Sequence, residues 1–305
     1  MTNSSARPRV AFLGLGAIGL PMARHLAAGT SLAVWNRTRS KAAQFAAKSG
    51  ARDAASPADA AIDAEFFIVC FPMSAQVEAV LFGLDAAASR LRPGSVVIDC
   101  TSGDPATSRR IAERLAANGV GFVDAPVSGG VAGAEAGKLT AMVGGDMAVV
   151  ERVRPILSLF ASKIVHCGDV GTGDAVKAVN NALLAVHIWS TAEGLAALSK
   201  LGVDPAVALD VINASSGRSN SSMNLFPERV LDRSFPRTFR LGLLDKDVRI
   251  AAGIARDTGT PADLLDATAR LFAEAHRELG DEADHVEAVK VVEQRAGTVI
   301  RGGTR

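Results

Sequence analysis

The sequence predicts an α/β domain followed by an all-helical one, and three observations carry the prediction. From residue 8 to about residue 168, short apolar runs alternate with Ala-rich stretches of helical period. A Gly-x-Gly-x-x-Gly turn joins the first run to the first of those stretches. After Gly173 the strand signals stop, and the pattern is helical to about residue 296. Strand and helix in strict alternation imply a mostly parallel, doubly wound sheet. A chain of 305 residues also exceeds what one hydrophobic core usually serves. We therefore expect domains at 1–168 and 169–305.

The runs RVAFLG, SLAVW, FFIVCF, SVVIDC, GFVDAP, LTAMVG and KIVHC are the expected strands. They are continuously apolar, as strands covered on both faces should be. Between them LPMARHLAAG, RSKAAQFAAKSG, DPATSRRIAERLAANG and MAVVERVRPILSLFA read as helices closed by Gly or a polar break. Further on, GVDPAVALDVINASSG, RLGLLDKDVRIAAGIARDTG and PADLLDATARLFAEAHRELG are separate amphipathic segments. The stretch SSGRSNSSMN, with Arg218, Ser219 and Asn220, is either a pocket wall or a polar surface loop. The final RGGTR reads as a disordered tail.

With 48% hydrophobic and 21% charged residues the chain has an ordinary globular composition. Its 33 basic against 32 acidic residues give no reason to invoke nucleic acid or an anionic membrane. A small molecule is the expected ligand. Cys70, Cys100 and Cys167 are odd in number and widely spaced, which argues against a disulfide framework or a metal site and for a reducing cytoplasm. RVAFLGLGAIGLPMARHLA mimics a signal peptide, but its regular glycines have a better explanation. Other apolar runs, such as FFIVCF, fall short of the roughly 20 residues of a membrane span.

That explanation is a Rossmann dinucleotide turn, Gly14-Leu15-Gly16-Ala17-Ile18-Gly19. Gly14 allows the tight turn, Gly16 the approach of a pyrophosphate, and Gly19 close helix packing, with the phosphates at the helix N-terminus. After the second strand, VWNRTRSKA has no acid to bind a ribose 2′-hydroxyl. Asn36, Arg37, Thr38, Arg39 and Lys41 supply donors and positive charge suited to a 2′-phosphate, so NADP is favoured, with NAD as the alternative cofactor. The bland reading is a solvated basic turn that caps a helix through Thr38. Thr101 and Ser102, after the fourth strand, face the same crevice or form an ordinary loop before a helix capped at Asp104.

Hydride transfer needs a group that exchanges a proton with the substrate oxygen. None of the five histidines has a partner at catalytic or metal-binding spacing, and there is no tyrosine. Lys177 differs, because it interrupts the apolar helical stretch DAVKAVNNALLAVHIW. Burial disfavours its charged form and moves a lysine toward the range useful in acid–base work. Asn181, four residues on, shares its helix face. The alternative is a snorkelling lysine on a partly exposed helix. Ser128, Gly129 and Gly130 offer a hydroxyl and open backbone N–H groups to a carboxylate, or form a flexible loop. Lys246 and Asp247 interrupt LLDKDV, which a surface turn of that helix would explain almost as well.

Taken together, GLGAIGLPMARHL, DAPVSGGVAGAEAGKLTAMVGG, GTGDAVKAVNN and KDV, in that order and spacing, resemble the β-hydroxyacid dehydrogenase family, which includes 3-hydroxyisobutyrate dehydrogenases and tartronate semialdehyde reductases. The resemblance implies that Lys177 is the catalytic acid/base, with Asn181 as its helix partner. It implies that Ser128, Gly129 and Gly130, beside Lys177 and Asn181, bind the substrate carboxylate. It further implies that Phe71, Pro72, Gln76, Ser102 and Lys246 serve the cofactor, Lys246 from the helical domain. The family usually has Ser-Thr where this chain has Thr101-Ser102, and leucine is commoner at Phe71. A long helix linking the domains and a homodimer or homotetramer are also implied. The expected activity is an NAD(P)-dependent oxidoreductase acting on a small 3-hydroxy acid or its semialdehyde or keto acid. The alternatives are an imine or other carbonyl reductase, whose imine-reducing members generally lack the lysine, and a noncatalytic NADP-binding protein. Decarboxylating phosphogluconate dehydrogenases share the fold but have a longer helical domain.

Overall fold

The computed structural model describes residues 7–302. The chain divides into two compact units, Met1–Lys177 and Ala178–Arg305. The first is an N-terminal Rossmann domain, and the second is all-helical apart from turns.

The Rossmann unit runs through β1 (Arg9–Leu13), α1 (Gly19–Gly29), β2 (Ser31–Trp35), α2 (Arg39–Ser49), β3 (Arg52–Asp53), α3 (Pro57–Ala61), β4 (Phe66–Val69) and α4 (Ser74–Phe82). It continues with β5 (Val96–Asp99), α5 (Pro105–Ala116), β6 (Gly121–Asp124), β7 (Val127–Ser128), α6 (Gly130–Glu135), β8 (Leu139–Gly144), α7 (Met147–Leu157) and β9 (Ala161–Gly168). The strand order is β3-β2-β1-β4-β5-β6-β8-β7, with β9 paired to β8. The chain winds outward from β1 to β3 and then restarts at β4 on the other side of β1. The ends of β1 and β4 thus form the switch point where doubly wound sheets bind ligands.

All seven expected strands are present, and their continuous apolarity has the expected cause. Phe12, Ile68 and Ile98 are buried in one core while Leu13, Phe67 and Val97 are buried in another. Each fully buried side chain of this size contributes about 1.5–3 kcal/mol. Two features depart from the simple pattern. β3 and β7 have two residues each, too short for a periodicity signal. And β8 runs antiparallel to β6 and β7, because the six-residue α6 is too short to carry the chain back along the sheet as a parallel crossover requires.

In the second unit, α8 (Thr172–Lys200), which begins in the first, is followed by α9 (Pro205–Asn213), a π-helical segment (Ser221–Val230), α10 (Leu241–Asp257), α11 (Asp263–Leu279) and α12 (Ala288–Ala296). By length and composition alone α8 could cross a membrane. Its contacts make it a core helix instead: Ala182, Ala185, Ile188, Trp189, Ala192 and Leu195 are buried with Leu244, Val248, Phe272 and Val289. The rings of Trp189 and Phe272 meet at a tilt of 58° with centroids 5.8 Å apart.

The stretch 215–224 enters the π-helical turn. Pro227 lies inside that helix and has no N–H to donate five residues back. The carbonyl that it leaves, Ser222 O, accepts instead from Asn213 Nδ2 at 3.0 Å. Of the expected tail, Gly302 donates its N–H to Leu231 O at 3.1 Å, so the chain is held that far. The rest of the tail lies outside the described residues.

Candidate active site

The glycine turn leaves the end of β1 under tight steric constraint. Gly14 sits at φ +108°, and a Cβ there would stand 2.2 Å from the Cys70 carbonyl oxygen at the end of β4. A Cβ on Gly19 would stand 1.9 Å from Gly14 O, so α1 can pack this close only without one. At Gly16 a Cβ would meet nothing within 4 Å; the turn is open on the side where a phosphate would approach. Ile18 gives α1 no side-chain cap, and no acid lies in its first turn, which leaves the positive end of the helix for an anion.

The turn after β2 is tied to this loop. Asn36 Oδ1 accepts from Leu15 N at 3.0 Å, and Asn36 Nδ2 donates to Thr38 O at 3.0 Å. Thr38 occupies the N-cap position of α2 without a side-chain cap bond, contrary to the bland reading of this turn. Arg39 is committed to Asp53 and to the Ala54 carbonyl, whereas Arg37 is exposed. At the end of β4, Phe71 N donates to Thr101 Oγ1 at 3.0 Å. Thr101 is buried and acts as this bridge, while Ser102 keeps partial exposure. Gln76, on α4, has its Oε1 buried without a hydrogen-bond partner, an acceptor suited to an amide or hydroxyl donor of a ligand. The open glycine turn, the uncapped helix and this orphaned oxygen fit a dinucleotide.

Ser128 ends β7, opposite Thr140 of β8. Gly129 and Gly130 follow at φ +133° and +63° and open α6. Both glycines are exposed and Ser128 is half-buried, an arrangement able to present a hydroxyl and backbone N–H groups to a carboxylate.

Lys177 lies on the first unit's part of α8 and is 8% exposed; Asn181, one turn on, is 4% exposed. The expected apolar helix is inverted here. Its polar Asp174, Lys177 and Asn181, at i, i+3 and i+7, are buried, while Val176, Val179 and Leu183 are exposed. At 8% exposure Lys177 keeps little surface, unlike a lysine on a partly exposed helix. In the helical unit, Asn181 Nδ2 donates to Asp247 Oδ2 at 2.6 Å, and Lys246 Nζ pairs with Asp247 Oδ1 at 3.1 Å. Asn180 is exposed and donates to Asn181 Oδ1. Lys246 and Asp247 are therefore not a surface turn: Asp247 is 2% exposed and holds both Asn181 and Lys246.

Sequence reasoning passed over two further acids, Asp124 and Asp174. Asp124, at the end of β6, accepts from Gly171 N at 2.7 Å and Asp174 N at 2.9 Å. Asp174 accepts from Gly103 N at 3.0 Å and Ser108 Oγ at 2.7 Å. Burial raises the Asp124 carboxyl above its ordinary range, partly offset by the backbone N–H groups it accepts. Burial, then the facing carboxyls of Asp124 and Asp99, raise Asp174 well above its ordinary range. Both acids stand in stretches already quoted, DAPVSGG and GTGDAVK. Asp174's position three residues before Lys177 was the available signal. Burial also pushes the Cys70 thiol up to about 12, which makes it a poor nucleophile.

Comparison with known proteins agrees with this geometry. Residues 9–168 match a family model described as the NAD binding domain of 6-phosphogluconate dehydrogenase, and residues 171–292 one described as NAD-binding of NADP-dependent 3-hydroxyisobutyrate dehydrogenase. A 2-(hydroxymethyl)glutarate dehydrogenase of Eubacterium barkeri is 34% identical over 97% of this chain and 98% of its own. A 3-hydroxyisobutyrate dehydrogenase of Pseudomonas aeruginosa is 37% identical, over 90% and 94%. The solved structure of Mycobacterium tuberculosis 3-hydroxyisobutyrate dehydrogenase with L-serine has a TM-score of 0.85 and 30% identity, over 94% of this chain and 99% of that one.

The raised Asp174 carboxyl has a signed consequence. The folded protein binds more protons than the unfolded chain once the pH exceeds the ordinary carboxylate value of 3.8, so folding stability falls as pH rises from there toward the folded value. Asp174→Asn removes that titration. Its urea midpoint should gain on the wild type as the pH is raised above 3.8; a wild type that gains on the variant over the same interval would contradict the assignment.

Proposed function

Because this chain belongs to the β-hydroxyacid dehydrogenase family, we propose that it is an NADP-preferring dehydrogenase that interconverts a 2-substituted 3-hydroxypropanoate and its semialdehyde. The compounds named with the three relatives support this substrate class. 3-Hydroxyisobutyrate, 2-(hydroxymethyl)glutarate and L-serine share the frame HOCH2–CHR–COO⁻ and differ only at R. A site that binds the carboxylate and the hydroxymethyl group, and leaves R to its walls, serves all three.

The bound nicotinamide would accept or supply hydride at the carbon that bears the oxygen. Gly14, Gly16 and Gly19 hold the pyrophosphate through the uncapped N-terminus of α1, and Gln76 and Ser102 add polar contacts. Arg37 meets the 2′-phosphate, its guanidinium exposed while Arg39 is occupied by Asp53. Ser128, Gly129 and Gly130 receive the substrate carboxylate. Lys177 Nζ takes the hydroxyl proton in oxidation and returns it to the carbonyl oxygen in reduction. Asn181, held by Asp247, presents its amide on the same helix face. The observation that carries the reading is the burial of Lys177 in α8, one turn beyond Asp174, whose carboxyl meets the β5–α5 loop. Exposed Val207 and Val211 on α9 support a homo-oligomer.

A buried proton-transfer group typically contributes about 10²- to 10⁴-fold in rate. Lys177→Ala should lose turnover by about that factor while still binding NADP; turnover within a few fold of wild type would remove the acid/base role. Arg37→Ala should weaken NADP by about tenfold or more and leave NAD nearly unchanged, as read by cofactor titration. Equal losses for the two cofactors would sink the 2′-phosphate contact.

A further inference from the structure

We propose that Asp124 and Asp174 are positioning residues that set the location of Lys177, by clasping the first turn of α8 to the ends of β5 and β6 in both directions. This rests on the acid/base reading of Lys177. The first clasp runs from sheet to helix. Asp124, 0% exposed at the end of β6, accepts the N–H groups of Gly171 and Asp174. These belong to the set of first-turn donors that no helix can satisfy internally, and here a strand 47–50 residues upstream answers them.

The second clasp runs from helix to sheet. The side chain of Asp174, in that same first turn, accepts from Gly103 N after β5 and from Ser108 Oγ on α5. Asp174 therefore gives its N–H to one strand end and its carboxyl to the next. Lys177 follows three residues later, on the same helix face.

The surroundings are built for these carboxyls. A Cβ on Gly144 would stand 2.5 Å from Asp124 Oδ1, one on Gly173 2.8 Å from Asp124 Oδ2, and one on Gly103 3.1 Å from Asp174 Oδ2. Three glycines from β8, α8 and the β5–α5 loop thus leave the space that the two acids fill. The ionisable groups around the pair are Asp99 at the end of β5, Cys167 on β9, and Arg109 of α5, whose Nη1 lies beside Gly171; Lys177 follows on α8 itself. Two buried carboxyls that accept backbone N–H groups cost several kcal/mol to desolvate, a cost that two neutral capping residues would avoid. What they provide in return is a register for the helix: neither the first turn of α8 nor its third residue can shift without breaking bonds on both sides.

A misplacement of about 1 Å in an acid/base group lowers turnover by about 10²-fold. Asp174→Ala should accordingly lower kcat by about 10- to 100-fold, with the NADP dissociation constant unchanged, and should speed amide hydrogen exchange across Gly171–Lys177. Asp174→Asn keeps the shape and an acceptor for Gly103 N–H, so it should retain most of the turnover and the slow exchange. Ser108→Ala, a milder change, should lower kcat in the same direction by less. The proposal is overturned if Asp174→Ala keeps wild-type kcat, if first-turn exchange is unaltered, or if Asn fails to rescue. A Lys177→Ala variant measured alongside separates the two ideas. If it retains turnover, the acid/base reading fails, whereas the exchange comparison still decides whether the clasp holds the helix.

Discussion

A helix that starts beside the carboxyl ends of a sheet brings unpaired N–H groups into a place where water is scarce. In this protein Asp124 accepts those of Gly171 and Asp174, and much of the candidate site follows from that interaction. It fixes where α8 begins. The position of Lys177 is then set by helical geometry, one turn further along, and Asn181 falls one turn beyond that.

The same constraint explains the inverted helix. A polar face of Asp174, Lys177 and Asn181 is buried while Val176, Val179 and Leu183 are exposed, which is unfavourable on hydrophobic grounds alone. It is tolerated because the buried groups are answered: Asp174 by Gly103 and Ser108, and Asn181 by Asp247, which also pairs with Lys246. A buried polar network of this kind is destabilising when any member is unsatisfied. Such residues are retained at a site where reactivity depends on their positions.

What the sequence made legible follows from the range of each signal. The strands were readable because burial on both faces leaves Val, Ile and Phe in unbroken runs, and the glycine turn because its three constraints act within six residues. β3 and β7 were not, since two residues carry no period. The π-helical segment was hidden because Pro227 argues for a break, and only Asn213, from the preceding helix, removes the penalty. Lys177 and Asn181 could be found from i, i+4 spacing. Asp124 could not be connected to them, because its partners lie some fifty residues downstream and are backbone N–H groups, which have no sequence signature. Asp247 stood next to Lys246 in plain view, but its burial is a tertiary fact, and without it a surface turn was almost as good an account.

The central claim is that Lys177 moves the substrate proton, and chemical rescue tests it most directly. With a hydroxy acid that the wild type oxidises, small primary amines added to Lys177→Ala should restore turnover, in proportion to amine concentration and with a rate that depends on amine basicity. A variant that binds NADP and substrate but stays equally slow at every amine concentration would contradict the claim.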